Sequence, residues 1–149
     1  MMYGIEHESN ARGALSKILK LPIQNSGLVL HRSGALAASP DGIIDSETIV
    51  EIKCMSKFRS DRSGALNHKP YGIVTSKDGK MSLAKSSIYY DQIQLQLHVC
   101  EAKLCYLMLY IPMNSIVVKV PKDAQWTPNV DKLVEYYFSV VLPKLIGQI

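Results

Sequence analysis

One hairpin constrains this chain more than any other stretch. Ser39-Pro40-Asp41-Gly42 is followed, after Ile43-Ile44-Asp45-Ser46-Glu47-Thr48-Ile49-Val50, by Glu51-Ile52-Lys53. The β-branched residues on either side of a polar centre read as two short strands joined by a turn at Asp45, Ser46 and Glu47. With a three-residue loop, Ile44 faces Thr48 and, counting back, Asp41 faces Glu51. Opposed residues in a hairpin share a face, with Cβ atoms roughly 4.5–5.5 Å apart. Lys53 lies two residues past Glu51 and so points the same way. Two carboxylates and an ammonium therefore converge on one spot.

Adjacent carboxylates repel, and one stays protonated unless a cation neutralises the pair. A hard divalent ion suits them: Mg²⁺ takes one or two carboxylates and keeps several waters. Such an ion activates water for in-line attack on a phosphate, and Lys53 can hold that water or meet the charge growing on the phosphoryl oxygens. Each piece also has an ordinary structural use. Ser-Pro-Asp-Gly makes a good turn, and Glu-x-Lys is common on solvated strands. Only their face-to-face spacing points to a site.

Charge supports a polyanionic partner. Net charge is +4, but residues 53–85 hold eight bases and two acids, a local +6 that leaves the remainder at −2. This basic stretch begins at the hairpin's last strand, where a positive surface would draw in nucleic acid. A solvated loop would also carry such residues. Other classes recede. Cys54, Cys100 and Cys105 form no Cys-x-x-Cys pair, which removes the case for a zinc ribbon or a cysteine-held cluster. An odd number of unpaired cysteines suits reduced thiols, hence a cytoplasmic or nuclear protein. The polar opening is unlike a signal peptide. The longest apolar run, residues 104–113, is too short to span a bilayer, so no membrane is expected.

At 149 residues the chain reads as a single domain, 1–149, without repeats. Ile5 to Lys20 predicts an amphipathic helix buried through Ile5, Ala11, Leu15, Ile18 and Leu19 and ended by Pro22. Residues 23–32 predict an interrupted strand, strongest at Leu28-Val29-Leu30; His31 there can approach the hairpin or be structural. Residues 60–70 read as a flexible loop, followed by a small hairpin from 71–74 to 81–83 turning at Lys77-Asp78-Gly79-Lys80. Ser86 or Ser87 caps a helix over 87–100. Ile88, Leu95 and Val99 make one stripe of it, widened by Ile93, Leu97 and Cys100, while Tyr89, Gln92 and Gln96 form a polar stripe that can line a site or simply face solvent. Residues 104–111 read as a buried strand paired with 116–120, and a last helix runs from about 129 to 145 on Val130, Leu133, Val134, Tyr137, Val141 and Leu145. The order gives an α/β fold with a mixed central β-sheet flanked by helices.

Three motifs in order carry a resemblance: Ser39-Pro40-Asp41-Gly42, then Glu51-Ile52-Lys53-Cys54, then Tyr89-Tyr90-Asp91-Gln92-Ile93-Gln94-Leu95-Gln96. With the opening Gly4-Ile5-Glu6-His7-Glu8, they resemble the YqaJ-type viral recombinase nucleases, relatives of phage lambda exonuclease in the PD-(D/E)XK superfamily. The resemblance runs from about Gly4 to Leu145 and implies a restriction-endonuclease-like core. It implies a Mg²⁺-dependent deoxyribonuclease, with Mn²⁺ as a substitute, that digests double-stranded DNA from a 5′ end in recombination or DNA processing. By the same resemblance Asp41, Glu51 and the carbonyl of Ile52 hold the metal, Lys53 positions or activates water, Gln92 orients Lys53, and Glu8 adds an outer carboxylate. Arg59 falls where the family binds a 5′-phosphate, and Ser39 and Tyr89 join it as DNA contacts. A single-strand annealing protein and further copies of the chain are the implied protein partners. The sequence departs from many relatives at Cys54-Met55, where they carry Cys-Pro. An endonuclease of the same fold and a catalytically inactive DNA-binding partner remain as alternatives.

Overall fold

A computed structural model describes residues 2–148 of the chain, and the side chains of residues 7–148. Its centre is a four-stranded mixed sheet. The strands are β3 (Gly42–Asp45), β4 (Thr48–Cys54), β7 (Leu104–Tyr110) and β8 (Ile116–Pro121), in the order β3-β4-β7-β8. β3 and β4 are antiparallel, β4 and β7 parallel, and β7 and β8 antiparallel. The parallel pair needs a crossover, and the crossover contains the helix α3 (Tyr90–Val99). This is the α/β architecture expected from the order of elements.

Strand alternation divides the core. Val50, Ile52 and Met108 face the first helix, α1 (Met2–Leu19), through its buried Ala11 and Leu15. Ile49, Cys105, Leu107 and Leu109 belong to the opposite layer, with Ile93 and Leu97 of α3. Each fully buried Leu or Ile contributes about 1.5–3 kcal/mol. The α1 face is narrower than expected, since Ile18 is exposed; Ile5 lies outside the described side chains. The helix stops at Lys20, which takes a left-handed φ of 56°, and Pro22 follows.

The hairpin register is the expected one where it matters. Ile43 pairs with Ile49 and Gly42 with Val50, which sets Asp41 opposite Glu51. The turn differs: Asp45 pairs with Thr48, so Ser46-Glu47 alone form it, and Ile44 is the extra residue of a bulge. The bulge absorbs the residue that the shorter turn releases. Gly42 is required by a close approach, because a Cβ there would lie 2.5 Å from Ile23 Cγ2. The expected strand over 23–32 shrinks to a bridge from Gln24 to Ile43 and the pair β1 (Val29–Leu30) with β2 (Ala37–Ala38).

Residues 60–70 fold instead of forming a flexible loop. Asp61 Oδ1 accepts the Gly64 N–H at 2.8 Å and caps α2 (Arg62–Asn67). Arg62 then bonds the carbonyls of Asn114 and Ser115 in the β7–β8 turn. β5 (Ile73–Thr75) and β6 (Met81–Leu83) form the expected small hairpin. α3 begins three residues later than expected. Ser87 accepts the Tyr89 and Tyr90 N–H groups through its hydroxyl and carbonyl, and Ile88 is 61% exposed rather than core.

The C-terminal helical stretch is α4 (Thr127–Tyr136), a π turn (Tyr137–Val141) and α5 (Leu142–Ile146). Pro143 lacks an N–H, which favours the widened turn before it. Only its first part packs inward, through Val130 and Val134; Leu133 and Leu145 are exposed. No helix among the described residues is long and apolar enough to cross a membrane, and the cysteines are free.

Candidate active site

Glu51 is the unusual residue of β4. It is 4% exposed, flanked in the strand by the buried Val50 and Ile52. A buried carboxylate is costly unless its oxygens are bonded, and here both are. Lys53 Nζ lies 3.0 Å from Oε1, and Gln92 Nε2 donates to the same oxygen at 3.0 Å. Gln96 Nε2 donates to Oε2 at 3.1 Å. Lys53 Nζ also donates to Gln92 Oε1 at 2.9 Å, which closes a ring of contacts among Glu51, Lys53 and Gln92.

Asp41 is fixed from two directions. Its N–H donates to Val50 O at 2.9 Å and its Oδ2 accepts the Ile52 N–H at 2.7 Å. Burial, and then the negative Glu51 beside it, push the Asp41 carboxyl from 3.8 up to about 6; the Ile52 N–H and Lys53 act in the opposite direction. Arg12 of α1 donates to the Asp41 carbonyl at 3.2 Å and stands 3.7 Å from Glu8. One helix thus carries Glu8 to the rim and braces the strand that presents Asp41.

A cleft of about 420 Å³ opens beside these groups, lined by Glu8, Ile52, Lys53, Lys57, Tyr71 and Tyr89 among others. The Tyr89 ring lies 5.5 Å from Lys53 Nζ, and Tyr71 stacks on Tyr89 at 5.5 Å. Gly72 makes that stack accessible: its φ is +67°, and a Cβ there would meet Ser87 Cβ at 2.7 Å. Burial, with Tyr71 nearby, raises the Tyr89 phenol well above its ordinary value, so it stays protonated. Burial followed by Glu8 and Asp41 raises the Cys54 thiol, which therefore stays a thiol.

The sequence-expected residues are mostly together. Glu51, Lys53 and Gln92 are in mutual contact, Asp41 lies beside Glu51, and Glu8 and Tyr89 line the cleft that Lys53 enters. Ser39 and Arg59 are exposed; the cation among the cleft's lining residues nearest Arg59 in sequence is Lys57. His31 bonds Ser33 within its own turn and serves that turn. Gln96 was legible only as one of a stripe of polar residues; its contact with Glu51 depends on how α3 lies over β4. Gln94, also buried, is a structural tie, accepting the Asp123 N–H and donating to Pro121 O.

A metal can be tested against this donor set. Among the described residues no group of three or more His, Cys, Asp or Glu is arranged to hold one. The set is instead two carboxylates and main-chain oxygen. Strand hydrogen bonding directs the Ile52 carbonyl to the same edge as its N–H, which meets Asp41. All-oxygen donors with room for waters fit a hard divalent cation such as Mg²⁺, and a cation would offset the burial and the Glu51 charge that together lift the Asp41 carboxyl.

The fold is that of solved alkaline exonucleases. The chain is similar to an alkaline exonuclease from Laribacter hongkongensis, with a TM-score of 0.74 and 18% identity over 99% of this chain and 71% of that one. The structure of LHK-Exo in complex with dAMP gives a TM-score of 0.75 at 19% identity, with the same coverage. In sequence, the model of the YqaJ-like viral recombinase domain matches residues 1–103, and the chain belongs to that family. The resemblance carried by the three motifs is borne out. An alkaline nuclease of Autographa californica nuclear polyhedrosis virus is 27% identical over 130 residues, a match that takes in 72% of this chain and 30% of that protein. The chain therefore spans about a third of that relative.

Proposed function

We propose that this chain is a Mg²⁺-dependent deoxyribonuclease that digests double-stranded DNA from a 5′ end. The observation that carries the reading is the convergence of Asp41, Glu51 and Lys53 on one side of the β3–β4 hairpin, at the mouth of a cleft flanked by basic residues. The alkaline exonuclease and alkaline nuclease names of its relatives support it.

Asp41, Glu51 and the Ile52 carbonyl would hold the cation, which supplies Lewis acidity and a water of lowered pKa. The chain's own groups do the rest. Lys53, steered by Gln92, presents its ammonium to the scissile phosphate, where negative charge grows as water attacks phosphorus and the bond to the leaving oxygen breaks. Tyr89 supports the Lys53 chain from below. Lys57 and the basic residues that follow neutralise DNA phosphates near the cleft. Digestion of one strand from its 5′ end exposes a 3′-ended single strand, the substrate of an annealing protein, which is the partner this reading favours.

The test is incubation with linear duplexes labelled at either end, with and without a 5′-phosphate, in Mg²⁺ or Mn²⁺. The proposal expects progressive loss of the 5′ label, faster with the phosphate, and no cutting of a covalently closed circle. Cleavage of the circle would replace the exonuclease by an endonuclease. No cleavage of any DNA would overturn the proposal.

A further inference from the structure

The geometry points to Gln96 as a positioning residue that sets the plane of the Glu51 carboxylate; this rests on the proposed metal-dependent site. Gln92 and Gln96 are one helical turn apart on α3, so their side chains descend on the same strand. They take opposite oxygens of one carboxylate, Oε1 from Gln92 and Oε2 from Gln96. Gln92 is solvent-exposed, already shared with Lys53, and free to follow it. Gln96 is 6% exposed and has no such latitude.

Its other end shows what the residue is for. Oε1 of Gln96 is buried and has no hydrogen-bond partner among the described residues. A buried amide oxygen left unpartnered is costly, and such groups call for an explanation. Turning the amide over would not relieve it, because Oε1 would then meet Glu51 Oε2, acceptor against acceptor. A leucine would fill the same space without the penalty. What leucine cannot do is donate to Oε2. Gln96 therefore gives up its own oxygen to fix Glu51 Oε2 while Gln92 and Lys53 take Oε1, which stops the carboxylate rotating and keeps its remaining lone pairs directed toward Asp41. Partners of metal-binding carboxylates typically change metal affinity or activity by about 10–100-fold when lost.

The experiment compares wild type with Gln96→Leu and, should that variant fold poorly, with Gln96→Met, which keeps length but cannot donate. Three quantities are read: the urea midpoint without metal, the Mg²⁺ affinity by calorimetry, and kcat and KM on linear duplex DNA. The inference expects Mg²⁺ to bind about tenfold more weakly per folded molecule, kcat to fall at least tenfold, KM for DNA to hold, and the urea midpoint to fall modestly, because Glu51 Oε2 loses its donor. Wild-type metal affinity and kcat in a folded variant would overturn it. So would a drop in activity matched by lost folding, with metal affinity per folded molecule unchanged. If wild type itself neither binds Mg²⁺ nor cleaves DNA, the nuclease reading fails, and the grip is judged on the metal-free protein. There, Glu51→Ala should shift the Gln96 side-chain amide proton resonances and speed their exchange; unchanged resonances would overturn the grip itself.

Discussion

Asp41→Asn should stabilise the metal-free protein at neutral pH while abolishing its activity. The Asp41 carboxyl is raised from 3.8 to about 6, first by burial and then by Glu51. A folded-state pKa above the unfolded value means that this group favours folding most below pH 4, and that the advantage is lost as pH rises through 6. A shift of that size corresponds to about 3 kcal/mol, and partial solvent exposure screens it to about 1–2 kcal/mol. Asparagine carries no charge, yet its side-chain oxygen can still accept the Ile52 N–H that Asp41 holds at 2.7 Å. Urea unfolding with a chelator present should therefore place the variant's midpoint above wild type by about 0.5–1 M at pH 8. At pH 4 the gap should nearly close. Mg²⁺ should raise the wild-type midpoint and leave the variant's almost unmoved. A variant that is less stable than wild type by the same amount at both pH values would refute the reasoning, because the carboxylates would then not be opposing each other.

Further expectations follow from the cleft. Gly72→Ala forces a Cβ to within 2.7 Å of Ser87 Cβ at a left-handed φ, and should cost about 1–3 kcal/mol by urea unfolding. Tyr89→Leu removes the ring beneath Lys53, a contact of about 1 kcal/mol, and should slow cleavage roughly fivefold with KM little changed. Lys57→Ala should weaken duplex binding and flatten the slope of log affinity against log salt by about 1, as seen by fluorescence anisotropy across a salt series.

The register that joins Asp41 to Glu51 could be read from the sequence because hairpin pairing is local. It survived an error in the turn, since the bulge at Ile44 compensates for the two-residue loop. Lys53 followed from strand alternation alone. Helical spacing set Gln96 on the stripe of Gln92 and left Gln94 off it, but it could not show that Gln92 stays exposed while Gln96 is buried on Glu51, which depends on how α3 lies over β4. The helix α2 was hidden for a related reason. It is short and contains Gly64, and its support comes from Arg62 reaching the turn at Asn114 and Ser115, some fifty residues away in sequence. The expected burial of Leu133 and Leu145 followed helical periodicity, which marks an apolar face without saying what covers it.

The most direct measurement is DNA cleavage by Lys53→Met, with calorimetric Mg²⁺ binding recorded on the same protein. Methionine keeps the apolar stem over Tyr89 and removes only the ammonium that touches Glu51 and Gln92. The account predicts retained Mg²⁺ binding and a fall in kcat of about 10²–10³ on linear duplex DNA. Wild-type cleavage by this variant would contradict the central claim that two carboxylates and one ammonium across the β3–β4 hairpin form the catalytic centre.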